Sequence, residues 1–169
     1  KDLKNNGHQI HYILGNHDFW DFGYLNREIG IITHKNDLKF NYNNQKIIIT
    51  HGDGLLKNDY GYRILKKIIR HPAFIKFFKV FPPKLTCKLA EKISKSSSHY
   101  NHHDNNVKTI KKDMLEFSEN MWGKGYNAVL IGHYHQTGII EKNENKMIFL
   151  GDWLSKFTVT MIDKKKYWQ

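Results

Sequence analysis

The stretch NAVLIGHYHQ, residues 127–136, sets a run of mostly apolar and β-branched residues directly before a glycine and two histidines spaced two apart. A short apolar run that ends at glycine reads as a buried strand opening into a turn. Two other stretches share this pattern. KIIITHGDGL (46–55) leads from a β-branched run into His51, Gly52 and Asp53, and HQIHYILGNHDFW (8–20) leads into Gly15, Asn16, His17 and Asp18. Loops at strand ends are where α/β proteins gather their chemistry, and a residue without Cβ lets the backbone bend sharply there. One amide oxygen (Asn16) and three imidazoles (His51, His133, His135) suit a divalent transition ion such as Mn, Fe or Zn better than Ca or Mg, which prefer oxygen shells. On an extended strand the two histidines of GHYH would share a face; in a turn they can diverge toward two neighbouring ions.

The elements between these runs follow from periodicity. A strand over 8–14 precedes a short helix near 21–29, then strands near 31–34 and 38–42 and an Asn43-Asn44 turn into 46–51. Strands near 127–132, 138–142, 146–151 and 157–163 close the domain, with a hairpin turn at 143–145. A helix runs to about 122, with Asp104 as its cap and Val107, Ile110, Met114, Leu115 and Phe117 on its apolar side. Periodicity alone gives mixed α/β.

These motifs together resemble the calcineurin-like metallophosphoesterases, whose ordered signature is DxH, GDxxD, GNH[DE], a histidine after a strand, and GHxH. The last three elements are here; DxH and GDxxD are not in the sequence. The chain therefore reads as the C-terminal part of a longer metallophosphoesterase domain. GNHDFW, HGDGLLKNDYGYR (51–63), the basic helical stretch after it and LGDWLSKFTVTMID (150–163) narrow the resemblance to the UDP-2,3-diacylglucosamine pyrophosphatase (hydrolase) group of lipid A synthesis. GNHD departs from members of that group that carry Arg in place of His17.

The resemblance implies an αββα sandwich of two mixed sheets flanked by helices, and two divalent metal ions, with Mn2+ expected. Asn16, His51 and His133 would hold one ion and His135 the other. His17 would serve the departing oxygen, with Asp18 holding its ring. Asp59, Tyr62 and Arg63 correspond to substrate-facing positions, Arg63 offering a fork to phosphate. For these three a solvated first helical turn is an equal alternative. Ser98 and Asn101 could reach polar groups of the substrate, whereas His99, His102 and His103, in a polar loop without ligand spacing, read as no metal site. The implied reaction is hydrolysis of UDP-2,3-diacylglucosamine to UMP and 2,3-diacylglucosamine 1-phosphate.

The middle of the chain speaks to substrate from its own residues. Over about 56–98, Ile64, Leu65, Ile68 and Ile69, then Phe74, Phe77, Phe78 and Phe81, then Leu85, Leu89 and Ile93 recur at helical spacing among basic residues. Pro72, Pro82 and Pro83 divide the stretch into three short helices, an inserted helical cap. Residues 63–95 hold ten Lys or Arg and one acid, Glu91. Such a surface meets anionic lipid headgroups while its apolar face reaches acyl chains. The expected partners are thus a nucleotide-linked glycolipid and an anionic membrane surface, with no nucleic acid. The whole chain, 169 residues at net charge +11, has the size of one domain and seeks anionic partners. Its single cysteine, Cys87, excludes an internal disulfide and fits a reducing cytoplasm, and no run reaches the ~20 apolar residues of a membrane span. The expected location is cytoplasmic and peripheral on a bacterial inner membrane. Another calcineurin-like phosphodiesterase or nuclease remains open as an alternative, as does an inactive fragment or a basic membrane-surface module.

Overall fold

Two apolar runs set the centre of the fold. Gln45–Thr50 (β4) and Ala128–Ile131 (β5) pair in parallel, from Ile47 opposite Ala128 to Thr50 opposite Ile131. All four residues of β5 are buried, the pattern of a strand covered on both faces. Parallel neighbours need a long crossover, and everything from 51 to 127 lies in this one. The structure, a computed structural model, describes residues 2–82, 85, 88, 91, 107–164 and 166–169, without the side chain of Trp168. These divide into one unit of Lys1–Asp53 with Leu115–Gln169 and a second of Gly54–Met114.

In the first unit, Asn145–Leu150 (β7) joins β5 in parallel, while Leu38–Tyr42 (β3) and Thr137–Lys142 (β6) close the edges as antiparallel hairpin partners. The resulting mixed sheet has the order β3-β4-β5-β7-β6. Both hairpins turn through residues with positive φ: Asn43 (47°) and Asn44 (62°), then Asn143 (49°) and Glu144 (65°). Period-2 alternation sends Ile47, Ala128, Leu130 and Ile148 to one face, where they cluster with buried Tyr167 and partly buried Phe40, Ile139 and Ile162. Tyr167 and Ile162 come from the two-stranded antiparallel pair Met161–Asp163 (β8) and Lys166–Trp168 (β9). Ile48, Val129, Ile131, Met147 and Phe149 fill the other face. A third sheet, the pair His11–Ile13 (β1) with Ile32–His34 (β2), is parallel. The sequence expectation of mixed α/β architecture holds. A helix, Val107–Gly123 (α4 after the short helix α1, Asp2–Asn5, and the two of the second unit), straddles the boundary between the units; its Glu119 pairs with Lys142 of β6 at 2.6 Å.

Several local expectations need correction. The strand expected over 8–14 is limited to His11–Ile13. Residues 25–29 form a π-turn ending at Gly30 in the left-handed conformation. The strand expected over 157–163 begins only at Met161, because Phe157 takes a left-handed φ of 51° and the Thr158 N–H turns back to the Asp152 carbonyl at 3.4 Å. The strand β9 had no counterpart in the sequence reading.

The second unit contains Tyr60–Ile69 (α2) and Pro72–Phe78 (α3). Pro72 occupies the first turn of α3, where its missing N–H costs nothing, and the His71 ring accepts from the Ala73 N–H at 3.3 Å. The phenylalanines, expected on a lipid-facing surface, divide between core and surface. Phe78 is buried and stacks on Phe74 at 5.4 Å; Phe77 is exposed against Phe81. Ile64 and Ile68, one turn apart on α2, are exposed as well. Leu85, Lys88 and Glu91 of the expected third cap helix are helical; the rest of that helix, the 96–106 loop with Ser98, Asn101 and its histidines, and the Asp104 cap lie outside the described residues.

Candidate functional site

Register brings the site together. Thr50 and Ile131 are paired at the carboxyl ends of β4 and β5, so the residues after them leave the sheet side by side. Gly132 N–H donates to the Thr50 carbonyl at 3.2 Å and the Tyr134 hydroxyl to the Gly52 carbonyl at 2.8 Å, which ties the HGD and GHYH turns to each other. The rings of His51 and His133 lie 5.1 Å apart at 62°. The loop after β1 completes the group: Asn16 Oδ1 is 3.0 Å from His51 Nε2. That approach requires Gly15, because a Cβ there would stand 2.7 Å from His51 Cε1.

The GHYH segment is a turn rather than an extended strand. Tyr134 N–H donates to the Gly132 carbonyl at 2.7 Å, a three-residue closure around His133, whose φ is 65°. His135 has φ 53°. Two successive imidazole carriers in left-handed backbone are the kind of strain that collects at working sites. The His135 side chain is 55% exposed and its Nδ1 lies 3.3 Å from Asp152 Oδ2.

Asp152 carries no role in the sequence reading beyond its place in the GDW segment. Its carboxyl is held well below the usual carboxylate range by hydrogen bonds from the backbone of Ser155, then Lys156 and Leu154. The signal was local, an Asp with a Ser three residues on, but the neighbouring His135 is remote in sequence.

Asp18 differs from its expected post at the His17 ring. Its carboxylate accepts from the Tyr12 hydroxyl and from the Gly15 N–H, so it fixes the loop that carries Asn16. The bond to Asp18, with burial second, pushes the Tyr12 phenol up to about 12. His17 is exposed to solvent.

Arg63 also departs from expectation. Its Nη1 and Nη2 donate to the carbonyls of Leu56 and Lys57 at 2.7 and 2.8 Å, and its guanidinium lies over the Tyr60 ring, so the fork is closed on its own unit. Asp59 precedes α2 at its N-cap without a side-chain capping bond, and Tyr62 packs beside Gly54.

Two imidazoles and one amide oxygen form a donor set that Mn, Fe or Zn accepts. Among the described residues no three His, Cys, Asp or Glu side chains are grouped to hold an ion.

No family model matches the chain. Among curated proteins it is 25% identical over 157 residues to the UDP-2,3-diacylglucosamine hydrolase of Haemophilus influenzae (strain PittGG), covering 93% of this chain and 66% of that protein. It is 29% identical over 167 residues to the UDP-2,3-diacylglucosamine hydrolase of Wigglesworthia glossinidia brevipalpis, covering 96% and 66%. For the protein of that name in Pseudomonas syringae pv. tomato the values are 25% over 170 residues, 98% and 68%. The chain thus spans about two thirds of the length of the curated relatives it matches. The group to which the motifs pointed is the one these relatives carry in their names.

Proposed function

We propose that the chain supplies part of a dinuclear, metal-dependent hydrolase centre that cleaves the diphosphate of UDP-2,3-diacylglucosamine, giving UMP and 2,3-diacylglucosamine 1-phosphate. The observation that carries this reading is the approach of Asn16, His51 and His133 at the carboxyl edge of the sheet, in a chain whose relatives bear that substrate in their names. Asn16, His51 and His133 would hold one divalent ion and His135 a second, with Mn2+ the first to test. When bound, such ions supply positive charge to phosphoryl oxygens as negative charge develops on them.

The remaining chemistry belongs to the chain's own groups. Asp18 and Tyr12 fix the loop that presents Asn16, and the exposed His17 in the same loop gives a proton to the departing oxygen. Tyr134 holds the two histidine turns together through Gly52. The substrate roles of Asp59, Tyr62, Ser98 and Asn101 rest on the resemblance alone. A lipid-linked substrate is supported by the exposed Ile64, Ile68 and Phe77 of the second unit, which a nuclease acting on a polar duplex would not use. No helix among the described residues is long and apolar enough to cross a membrane, and the proposed location is peripheral, on the cytoplasmic face of the inner membrane.

The test offers the full gene product UDP-2,3-diacylglucosamine and, separately, generic phosphodiesters, each with Mn2+. Turnover of the glycolipid nucleotide that falls on chelation and on His51→Ala is the expected result. Efficient turnover of generic phosphodiesters alone overturns the substrate.

A further inference from the structure

Antiparallel register sets a carboxylate opposite the last histidine of the GHYH turn. β6 and β7 pair Thr137 with Leu150, and one step beyond that pair the Gly151 N–H donates to the Gln136 carbonyl at 2.8 Å. The next residues out, His135 and Asp152, come opposite each other in the same register. His135 Nδ1 lies 3.3 Å from Asp152 Oδ2. The two oxygens of Asp152 have different tasks. Oδ1 accepts the backbone N–H groups of Leu154, Ser155 and Lys156 at 2.8, 2.5 and 3.1 Å. The Ser155 hydroxyl reaches both oxygens, Oδ1 at 3.2 Å and Oδ2 at 3.1 Å. Oδ1 is thus committed to the turn, and among the described residues Oδ2 has the Ser155 hydroxyl and the His135 ring beside it.

Capping this turn takes one acceptor oxygen, which an asparagine would supply as well. The second oxygen is what an aspartate adds, and it is the one beside the imidazole. The carboxylate is also the fixed member of the pair, its side chain 4% exposed against 55% for His135. An ionised carboxylate accepts and has no hydrogen to give, so the ring nitrogen beside it is the one that keeps its hydrogen. A neutral imidazole carries a single such hydrogen, and with it on Nδ1 the lone pair is at Nε2. A divalent ion binds the lone-pair nitrogen, and a carboxylate behind the other nitrogen fixes both the tautomer and the direction of the ring.

We infer that Asp152 is a positioning residue for His135: its Oδ2 keeps the ring hydrogen on Nδ1 and so presents Nε2 to a divalent ion. The inference deepens the proposed function and rests on its assignment of His135 as a ligand of the second ion. Asp152 acts through the ring, and the turn that follows it serves to hold its carboxylate still.

Asp152→Asn separates the two tasks. The three backbone donors keep the amide oxygen at the place of Oδ1, which turns the amide NH2 toward His135. That group donates where the carboxylate accepted, so the ring must put its lone pair on Nδ1 and its hydrogen on Nε2, the wrong tautomer for a ligand through Nε2. The first measurement needs neither metal nor substrate: two-bond proton–nitrogen spectra of the metal-free full gene product, with the His135 signal identified by its loss in His135→Gln. The neutral ring should be the Nδ1–H tautomer in the wild type and the Nε2–H tautomer in Asp152→Asn, with melting unchanged. The second is calorimetric titration with Zn2+. Asp152→Asn should bind one ion about 10–100-fold more weakly, the same ion that His135→Gln weakens, and the other as the wild type does. Because no substrate enters, failure of the hydrolase reading leaves both measurements readable. An Nε2–H ring in the wild type overturns the inference, as does an Asp152→Asn variant that keeps the wild-type tautomer or the wild-type affinity for every ion. So does a His135→Gln variant that weakens no ion. Asp152→Ala, which also loses the turn's acceptor, should melt lower; an Asp152→Asn variant that melts as low with its tautomer unchanged reduces Asp152 to a cap and overturns the inference.

Discussion

The two ends of the central sheet use the same backbone conformation for different ends. At one end Asn43, Asn44, Asn143 and Glu144 take positive φ because two-residue hairpin loops demand it, and asparagine adopts that region at small cost. At the other, His133 and His135 take positive φ where no hairpin closes. A left-handed residue with a full side chain costs about 1–2 kcal/mol, and at His133 it brings the ring to 5.1 Å from that of His51. Left-handed backbone in the turns is architecture; under the proposed function, left-handed backbone in GHYH is position for chemistry.

The strongest way to break that contrast is to remove the rings. His51→Ala or His133→Ala should weaken Mn2+ or Zn2+ binding, measured by calorimetry, by more than the ~10–100-fold that losing an outer partner of a ligand costs. His133→Gly is sharper. It should lose metal like the alanine variant while melting no lower than wild type, because the backbone strain leaves with the side chain. A His133→Gly protein that melts several degrees lower would mean that the ring is a packing residue.

Next in size is Gly15→Ala. The new methyl would meet the His51 ring at 2.7 Å, so the ring or the loop must shift, and a loss of about 1–3 kcal/mol in stability is expected together with weaker metal binding. Gly125→Ala is the matched control, a positive φ of 86° with nothing within 4 Å of the added Cβ, and should lower melting without touching metal binding. Equal metal binding in both variants would remove the close approach of the loop from the site.

Much of this was legible in the sequence, and for identifiable reasons. β3 and β4 with the Asn43-Asn44 turn, and β5 to β7, are announced by short β-branched runs and turn residues, signals that are local. Asn16, His51 and His133 could be nominated together because each follows such a run. What escaped is non-local or competitive. Strand order, with β4, β5 and β7 parallel at the centre, depends on pairing that no single run encodes. FTVTMID alternates like a strand from Phe157 onward, but Phe157 takes a φ of 51° and the Thr158 N–H donates to the Asp152 carbonyl at 3.4 Å, so β8 starts late. Asp18 next to His17 suggested a carboxylate-imidazole pair, and the structure spends that carboxylate on Tyr12 and Gly15, six and three residues back along the chain.

The Tyr12 contact gives a smaller, pH-dependent effect. Its phenol is raised to about 12 from an ordinary value near 10, so the protonated form is favoured in the folded chain. Its contribution to stability is complete below pH 10 and is lost as pH rises from 10 to 12. Tyr12→Phe should flatten the alkaline limb of the melting profile in that window and remove a phenol titrating near 12 from the ultraviolet tyrosinate curve. A wild-type curve with no phenol titrating near 12 would dissolve the link between Tyr12 and the Asn16 loop.

The smallest expected effect lies at the far end of the sheet. In the Asn143-Glu144 turn both residues are left-handed, and the second position of such a turn favours glycine. Glu144→Gly relieves about 1–2 kcal/mol of backbone strain and forfeits about 0.5–1 kcal/mol through the greater freedom of glycine in the unfolded chain. The net gain should be about 0.5 kcal/mol, a rise of about 1–2 °C in melting temperature for a chain of this size, with metal binding unchanged. The ion pairs Lys142–Glu119 and Lys146–Glu141 flank the turn and do not involve Glu144, so the change reads the backbone alone. A fall in melting temperature would mean that a left-handed residue bears little strain in this sheet, and the same φ at His133 would then need no chemistry to explain it.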